Sequence, residues 1–456
     1  MISGLPASKA FPKVRSTMSS STHSTATAAG INTETTPQPQ PHAQRASPPT
    51  ILDRWLAARI QKVIDPARVR LQIWDGSSPY TGQSRPIGDL IVHDRGTLIG
   101  LLINPDLQFG ESYMTGRLDV RGPLPVITAE LTRLSPLEPS LFDRIAAALS
   151  SANTLRRSRH NVHHHYDLGN AFYERWLDRR MVYTCAYFAD QRMSLDDAQH
   201  AKLDLVCRKL RLQPGESVIE AGCGWGALAL HMARHYGVHV QAFNISREQI
   251  EYARERAARE GLASQIEFID DDYRNVSGQF DAFVSVGMLE HVGRRNLSAV
   301  GTVLKRSLKR DGGRGLLHFI GRDVTRPLNT WIRRRIFPGA YTPTLAELTS
   351  RILSPAGMSV TDIENLRLHY AHTLAAWAAR FAAATDYVRT TYGDEFRRAW
   401  ELYLAGSEAA FNAGWLQLFQ VVFTPRESAP PYWTRSEPFD SLRSLRTSTE
   451  PPVTPA

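Results

Sequence analysis

The segment Glu220-Ala-Gly-Cys-Gly-Trp-Gly226 restricts the fold of this chain more than any other. It follows an apolar run, Glu216 to Ala221, and precedes a helical stretch, Ala227 to Tyr236, that stops at Gly237. Glycines at alternate positions let a backbone turn sharply and come close to a ligand. The helix behind them offers unpaired N–H groups to polar ligand atoms. The alternation continues downstream. Val238 to Phe243, Ile266 to Ile269, Phe280 to Val286 and Gly315 to Ile320 read as strands separated by helices. A helix from Ser246 to about Glu260 should open on a capping box of Ser246 with Gln249 and close at Gly261. A last helical region covers Leu374 to Phe411. Strands alternating with helices imply an α/β fold, a mostly parallel sheet with helices on both faces.

The loop spacing also narrows the ligand. Dinucleotide sites use G-x-G-x-x-G, which is absent here. Glu220 ends the first strand, placed to accept hydrogen bonds from a ligand amino group. Asn244 ends the second strand about twenty residues later, where ribose hydroxyls lie in such folds, although an acid is commoner at that position. Asp271, Asp272 and Tyr273 end the third strand and are placed to face an adenine. A methyl donor of the S-adenosylmethionine type fits this set better than a dinucleotide.

Outside this region the chain divides by composition. Residues 1–50 are rich in Ser, Thr, Ala, Pro and Gln with Glu34 the only acid, a composition expected to stay disordered. Residues 51–134 read as a small α+β domain: Ile51 to Ile64 has helical spacing, Val69 to Trp74 alternates as a strand, and Gly110–Met114 and Leu118–Gly122 supply turns and another strand. Residues 135–164 form a linker carrying Arg156, Arg157 and Arg159. The catalytic region is expected over 165–424, with a second disordered tail over 425–456.

Beyond the glycine loop the chain resembles the cyclopropane fatty-acyl-phospholipid synthase family, including the mycolic-acid cyclopropane synthases. The resemblance is carried in order by His165-Tyr-Asp-Leu-Gly-Asn170, Tyr183-Thr-Cys-Ala-Tyr-Phe188, the glycine loop, Asp272-Tyr-Arg274, Ser285-Val-Gly-Met-Leu-Glu-His-Val-Gly293, Leu317-His-Phe-Ile-Gly321, Trp331 with Ile336-Phe-Pro338, and Gln417-Leu-Phe-Gln-Val-Val-Phe423. Phe109-Gly-Glu-Ser-Tyr-Met114 is similar to the small N-terminal domain of the bacterial enzymes. The resemblance implies a Rossmann-like class I methyltransferase fold with a seven-stranded sheet, and S-adenosylmethionine held by Tyr183, Thr184, Glu220, Gly222, Cys223, Gly224, Gly226, Asn244, Ser246, Gln249, Asp272 and Tyr273. It implies transfer of a methylene group to the cis double bond of a phospholipid acyl chain. An alkene is a poor nucleophile, so the sulfonium must be held in line and water excluded. Methyl transfer then leaves a carbocation, and a base must remove a proton for the ring to close. In the family that base is a bound bicarbonate ion. By motif its site here is Glu290, His318, Tyr370, Cys185 and Ile320, the last two through backbone groups. Relatives making methyl-branched fatty acids or methylating amines are the alternatives. Where many family members carry a cysteine, this chain has Ser407.

Taken without the resemblance, these residues have plainer readings. Glu290-His291 caps a helix, His318 is a core histidine, and Cys185 is a small buried residue. The run His163-His164-His165 has no second ligand group at metal-site spacing, so no metal is expected.

The formal charge of +9 favours an anionic partner. No recognition helix or base-stacking platform points to nucleic acid. An anionic membrane surface is the expected partner, met by Arg156-Arg157-Ser-Arg159 and Arg333-Arg-Arg335, with Trp331 and Phe337 inserting at the interface. Family relatives include dimers, so a homodimer is expected. The three cysteines form no C-x-x-C pair and suit a reducing cytoplasm. No apolar run reaches the roughly 18 residues that span a bilayer. The expected location is therefore cytoplasmic, peripheral on the inner face of the membrane.

Overall fold

The computed structural model describes residues 47–82, 84–134 and 168–438. Both expected disordered tails lie largely outside the described residues, as do the Arg156–Arg159 cluster and the three-histidine run. The described chain forms two compact units. One holds the residues up to Arg121 together with Tyr387–Arg398, the other Gly122–Asp386 with the residues from Ala399 onward.

In the first unit, α1 (Ile51–Ile64) opens on a capping box between Thr50 and Asp53. Strands β1 (Val69–Gln72), β2 (Gly88–Val92) and β3 (Leu118–Arg121) make a three-stranded sheet in that order, β1 and β2 parallel, β2 and β3 antiparallel. Two helices, α2 (Arg95–Ile103) and α3 (Pro105–Met114), connect β2 to β3. Gly110–Met114, expected as a turn, is the end of α3, whose start is fixed by Pro105 and by the Asn104 side chain accepting from the Leu107 N–H. Asp53 is fully buried, and the Arg95 guanidinium holds its carboxyl well below the usual range. Residues 387–398 join this unit through Arg398, which donates to the carbonyls of Tyr113 and Leu118, pairs with Asp119 at 2.8 Å and lies over the Tyr113 ring. No local pattern marks that segment, so a boundary drawn from composition at residue 134 does not include it.

The second unit begins with α4 (Leu124–Arg133) and continues, after the undescribed connector, with α5 (Leu195–Lys209), β4 (Ser217–Ala221), α6 (Ala227–Tyr236), β5 (His239–Asn244), α7 (Arg247–Arg259), β6 (Ile266–Asp270) and β7 (Ala282–Val286). It goes on through α8 (Leu289–Val292), α9 (Leu297–Ser307), β8 (Arg314–Gly321), β9 (Met358–Asn365) and α10 (Arg367–Ala383). The chain then forms α11 (Thr385–Tyr392) and α12 (Asp394–Asn412), of which residues 387–398 belong to the first unit, and the second unit ends with β10 (Gln417–Pro425). The seven strands lie in the order β6-β5-β4-β7-β8-β10-β9, all parallel except β10, which is antiparallel to both its neighbours. This is the expected α/β architecture. Period-two alternation sends Val218, Val240, Val284, Leu316 and Val422 to one face and Ile219, Phe243, Phe283, Leu317 and Val421 to the other, each under its own layer of helices.

Two details depart from the sequence reading. Ser246 caps α7 without a side-chain bond, because Gln249 is turned to Asn244 and leaves the box open. Residues 426–438, assigned by composition to a tail, pack on β9: Tyr432 is buried and Arg435 pairs with Asp362 at 2.7 Å. Strand β9 is not legible as a strand because a bulge breaks its alternation, burying Asp362 and exposing Val360 and Ile363.

Gly315 on β8 lies under the Phe423 ring of β10, so close that a Cβ there would stand 2.3 Å from a ring carbon. Gly315→Val should lower stability to urea by about 1–3 kcal/mol. In combination with Phe423→Ala the loss should be less than the sum of the two single losses, because the ring that meets the new methyls is gone.

Candidate functional site

The glycine loop opens where β4 meets α6, at the C-terminal ends of the parallel strands, where doubly wound sheets hold their ligands. Gly222, Gly224 and Gly226 all have positive φ. Two of them are also fixed by contact: a Cβ on Gly222 would meet Met288 at 2.8 Å, and one on Gly226 would meet Phe268 and Ala253. Trp225 anchors the loop by donating to Asn170 at 2.7 Å. Above it lies an open cleft enclosing about 1120 Å³.

Of the twelve residues expected to hold the cofactor, ten line this cleft: Tyr183, Thr184, Glu220, Gly222, Cys223, Gly224, Asn244, Gln249, Asp272 and Tyr273; Gly226 forms the turn at the start of α6. Ser246 is buried beside the cleft, at the start of α7. Glu220 is buried with Oε2 unpartnered, and desolvation pushes its carboxyl up to about 8. The Tyr273 hydroxyl is likewise buried without a partner. Asn244 is committed to the loop: its amide donates to the Gly224 carbonyl and to Gln249 Oε1, at 3.2 and 2.8 Å. A carboxylate there could make neither bond, which accounts for the Asn where an acid is commoner. Asp272 gives both oxygens to Arg274 at 2.8 Å, so it shapes the turn after β6. Tyr183 shares a 2.7 Å hydrogen bond with the Tyr403 hydroxyl.

Lys202 is the residue that sequence reasoning missed. It lies on the buried face of α5, lines the cleft with Glu220, and donates to Thr184 Oγ1 at 3.0 Å. Burial pulls its ammonium down to about 8, opposed by Asp178 and Glu220. The available signal was a lysine among Ala198, Gln199, Leu205 and Val206 on one helical face.

Of the five residues expected at the base site, Glu290, His318 and Ile320 lie at the ends of β7 and β8. Glu290 on α8 is buried, and its Oε1 accepts from the Ile320 N–H at 2.5 Å. Its Oε2 has no partner, and burial pushes the carboxyl up to about 7. Ile320 thus spends its N–H on Glu290. His318 is buried two residues earlier on β8. Its Nδ1 stands 3.1 Å from Gln420 Nε2, and its Nε2 has no hydrogen-bond partner among the described residues. Desolvation, with Lys202 and Lys209 nearby, holds the imidazole neutral.

Cys185 is fully buried, its thiol raised by desolvation and turned to the Ala186 carbonyl, so it presents no thiolate. The Ala186 N–H donates to Thr373 on α10, one turn beyond the buried Tyr370. Gly287 approaches Thr184 so closely that a Cβ would stand 2.7 Å away, and its N–H donates to the His318 carbonyl at 2.9 Å. These contacts join the Tyr183–Cys185 segment, the end of β7 and β8 into one wall. Ser407 lies half-buried on α12. Trp331, expected to insert into lipid, is buried, and Phe337 rests against Tyr403 and His291.

The family described as mycolic acid cyclopropane synthetase matches residues 153–421. A probable fatty acid methyltransferase of Pseudomonas putida is 35% identical over 388 residues, covering 81% of this chain and 95% of its own. The cyclopropane-fatty-acyl-phospholipid synthase of Escherichia coli K12 is 40% identical over 325 residues, covering 70% of this chain and 83% of its own. Among solved structures, mycolic acid cyclopropane synthase CmaA1 complexed with SAH and CTAB is 30% identical with a TM-score of 0.55, covering 58% of this chain and 97% of that one. With the glycine cradle, the unpartnered Glu220 carboxyl and the sheet order, these likenesses place the chain in the mycolic acid cyclopropane synthetase family, as an S-adenosylmethionine-dependent methyltransferase.

Proposed function

We propose that the protein adds a methylene group from S-adenosylmethionine across the cis double bond of an unsaturated phospholipid acyl chain. The observation that carries this reading is a pair of buried, unpartnered polar atoms, Glu290 Oε2 and His318 Nε2, on segments joined through the Ile320 N–H. Leaving such atoms unpaired costs about 1–3 kcal/mol each. Their retention supports a small polar guest with both donor and acceptor groups, and bicarbonate has both. Simple amine methylation does not need this pair. When bound, S-adenosylmethionine supplies an electrophilic methyl carbon and bicarbonate a base.

The chain's own residues then divide the work. Glu220 accepts from the cofactor's amino group, and the glycines admit its backbone-facing atoms. Glu290, oriented by Ile320, accepts from the anion; His318 and Tyr370 donate to it, and the Cys185 backbone closes the site. Trp225, Phe243 and Met288 in the cleft wall keep water from the reacting carbons. The double bond lies within a bilayer leaflet, so we place the enzyme at an anionic membrane surface. Exposed Arg334 suits such a surface, each such contact contributing about 1 kcal/mol. The helix that carries it is anchored by buried Trp331. No described helix is long and apolar enough to cross a membrane.

A methyl-branched product is the second reading, favoured by the likeness to the Pseudomonas putida protein. Expression in a host lacking its own synthase, with mass spectrometry of the fatty acids, tests both. A product one methylene heavier that resists mild hydrogenation is expected. A saturated product gaining a methyl and a hydrogen would favour the second reading, and unchanged lipids alongside folded, cofactor-binding protein would overturn both.

Glu290→Gln should lower kcat roughly 10²–10⁴-fold while leaving S-adenosylmethionine affinity unchanged; full activity in this variant excludes the role given to Glu290. Because Glu290 works as the carboxylate and burial raises it to about 7, kcat/KM at constant bicarbonate should rise with pH through about 7 and then level. A profile that falls over that range contradicts the assignment.

A further inference from the structure

His318, Gln420 and Glu364 stand directly opposite one another on three adjacent strands. Across β8 and β10, His318 pairs with Gln420; across β10 and β9, Gln420 pairs with Glu364. Residues directly opposite in a sheet share a face. Lys209, fully buried at the end of α5, reaches that face, with Nζ 2.7 Å from Gln420 Oε1 and 2.5 Å from Glu364 Oε2.

The chemistry of these four groups leaves one proton arrangement. Burial lowers the Lys209 ammonium, but the Glu364 carboxylate that Nζ contacts opposes this and holds the charged form, and an ammonium can only donate. The Gln420 atom facing it is therefore the amide oxygen. The amide nitrogen must then point to the other side, where it lies 3.1 Å from His318 Nδ1. That N–H also can only donate, so Nδ1 is a bare acceptor. A neutral imidazole with a bare Nδ1 carries its proton on Nε2. Among the described residues, none hydrogen-bonds Nε2.

We propose that Lys209 and Gln420 are positioning residues that lock His318 in the Nε2–H tautomer, so that the anion of the base site always meets a donor. The function of the lock rests on the reading of that site given above; the lock itself does not. Without Lys209 the amide is free to turn over and offer its oxygen to Nδ1. The imidazole then moves its proton to Nδ1 and presents a lone pair at Nε2, which repels an anion.

The test is nitrogen NMR on the full chain labelled with 15N-histidine, the His318 signals being assigned by their loss in His318→Gln. In the wild type the two-bond N–H correlations should report a neutral ring protonated at Nε2. Gln420→Glu, nearly the same shape, should move protonation to Nδ1, and Lys209→Met should give a mixture of the two tautomers. Turnover should fall roughly 10–100-fold in both variants with S-adenosylmethionine affinity unchanged.

A wild-type ring protonated at Nδ1 overturns the proposal whether or not either variant folds. A single Nε2–H form persisting in folded Gln420→Glu or Lys209→Met also overturns it. If the tautomers behave as stated but Gln420→Glu and His318→Gln both turn over normally, the lock stands and the base-site reading falls. If His318→Gln is inactive while the wild-type ring is protonated at Nδ1, the base-site reading stands and the lock falls.

Discussion

Two lysines, seven residues apart on one face of α5, are buried against the sheet, and much of the chemistry follows from where their charges go. A buried ammonium must be matched by acceptors and counter-charge. Lys202 meets Thr184 in the cleft beneath the glycine loop, with Glu220 and Asp178 supplying negative potential. Lys209 meets Glu364 and Gln420 on the far half of the sheet. The same helix therefore serves the cleft from its middle and β9 and β10 from its C-terminal end. Both charges also disfavour a second proton on His318, which keeps that ring a neutral hydrogen-bonding group.

Seen from the sheet, the functional groups are polar substitutions in apolar rows. Glu220 interrupts Ser217–Ala221, His318 interrupts Arg314–Gly321, and Gln420 interrupts Gln417–Pro425. Alternation turns all three toward the face that α5 and α6 cover, the face of Val218, Val284, Leu316 and Val422. A polar atom there is costly unless something meets it. Gln420 is met by Lys209 and His318, whereas one atom each of Glu220, Glu290 and His318 is left for a ligand.

Much of this was legible beforehand. The strand, glycine turn and helix between Glu216 and Gly237 fall where alternation and glycine placement put them, because each signal is local. Glu220 and the glycines were legible for the same reason. Glu290, His318 and Tyr370 were reached through family resemblance, since no sequence spacing relates residues carried on α8, β8 and α10. What stayed hidden depends on long-range partners. Lys202 reads as an ordinary helical lysine until the sheet covers it. Residues 387–398 belong to the first unit, to which Arg398 binds through the Tyr113 and Leu118 carbonyls and Asp119. The capping box at Ser246 failed because Asn244, two residues away, competes for Gln249.

Strand β10 is the last of the described strands but sits inside the sheet, between β8 and β9. Until it inserts, β8 is an open edge, β9 has no neighbour, and the imidazole of His318 has nothing to fix its proton. During synthesis the catalytic face therefore stays incomplete until the residues near 420 have left the ribosome, about a hundred residues after His318 itself. The fold in this way ties the competence of its earliest-made chemical groups to the arrival of nearly all the rest of the described chain. A nascent fragment ending before β10 would carry the glycine loop and its cleft, yet lack the strand that sets Gln420 beside His318.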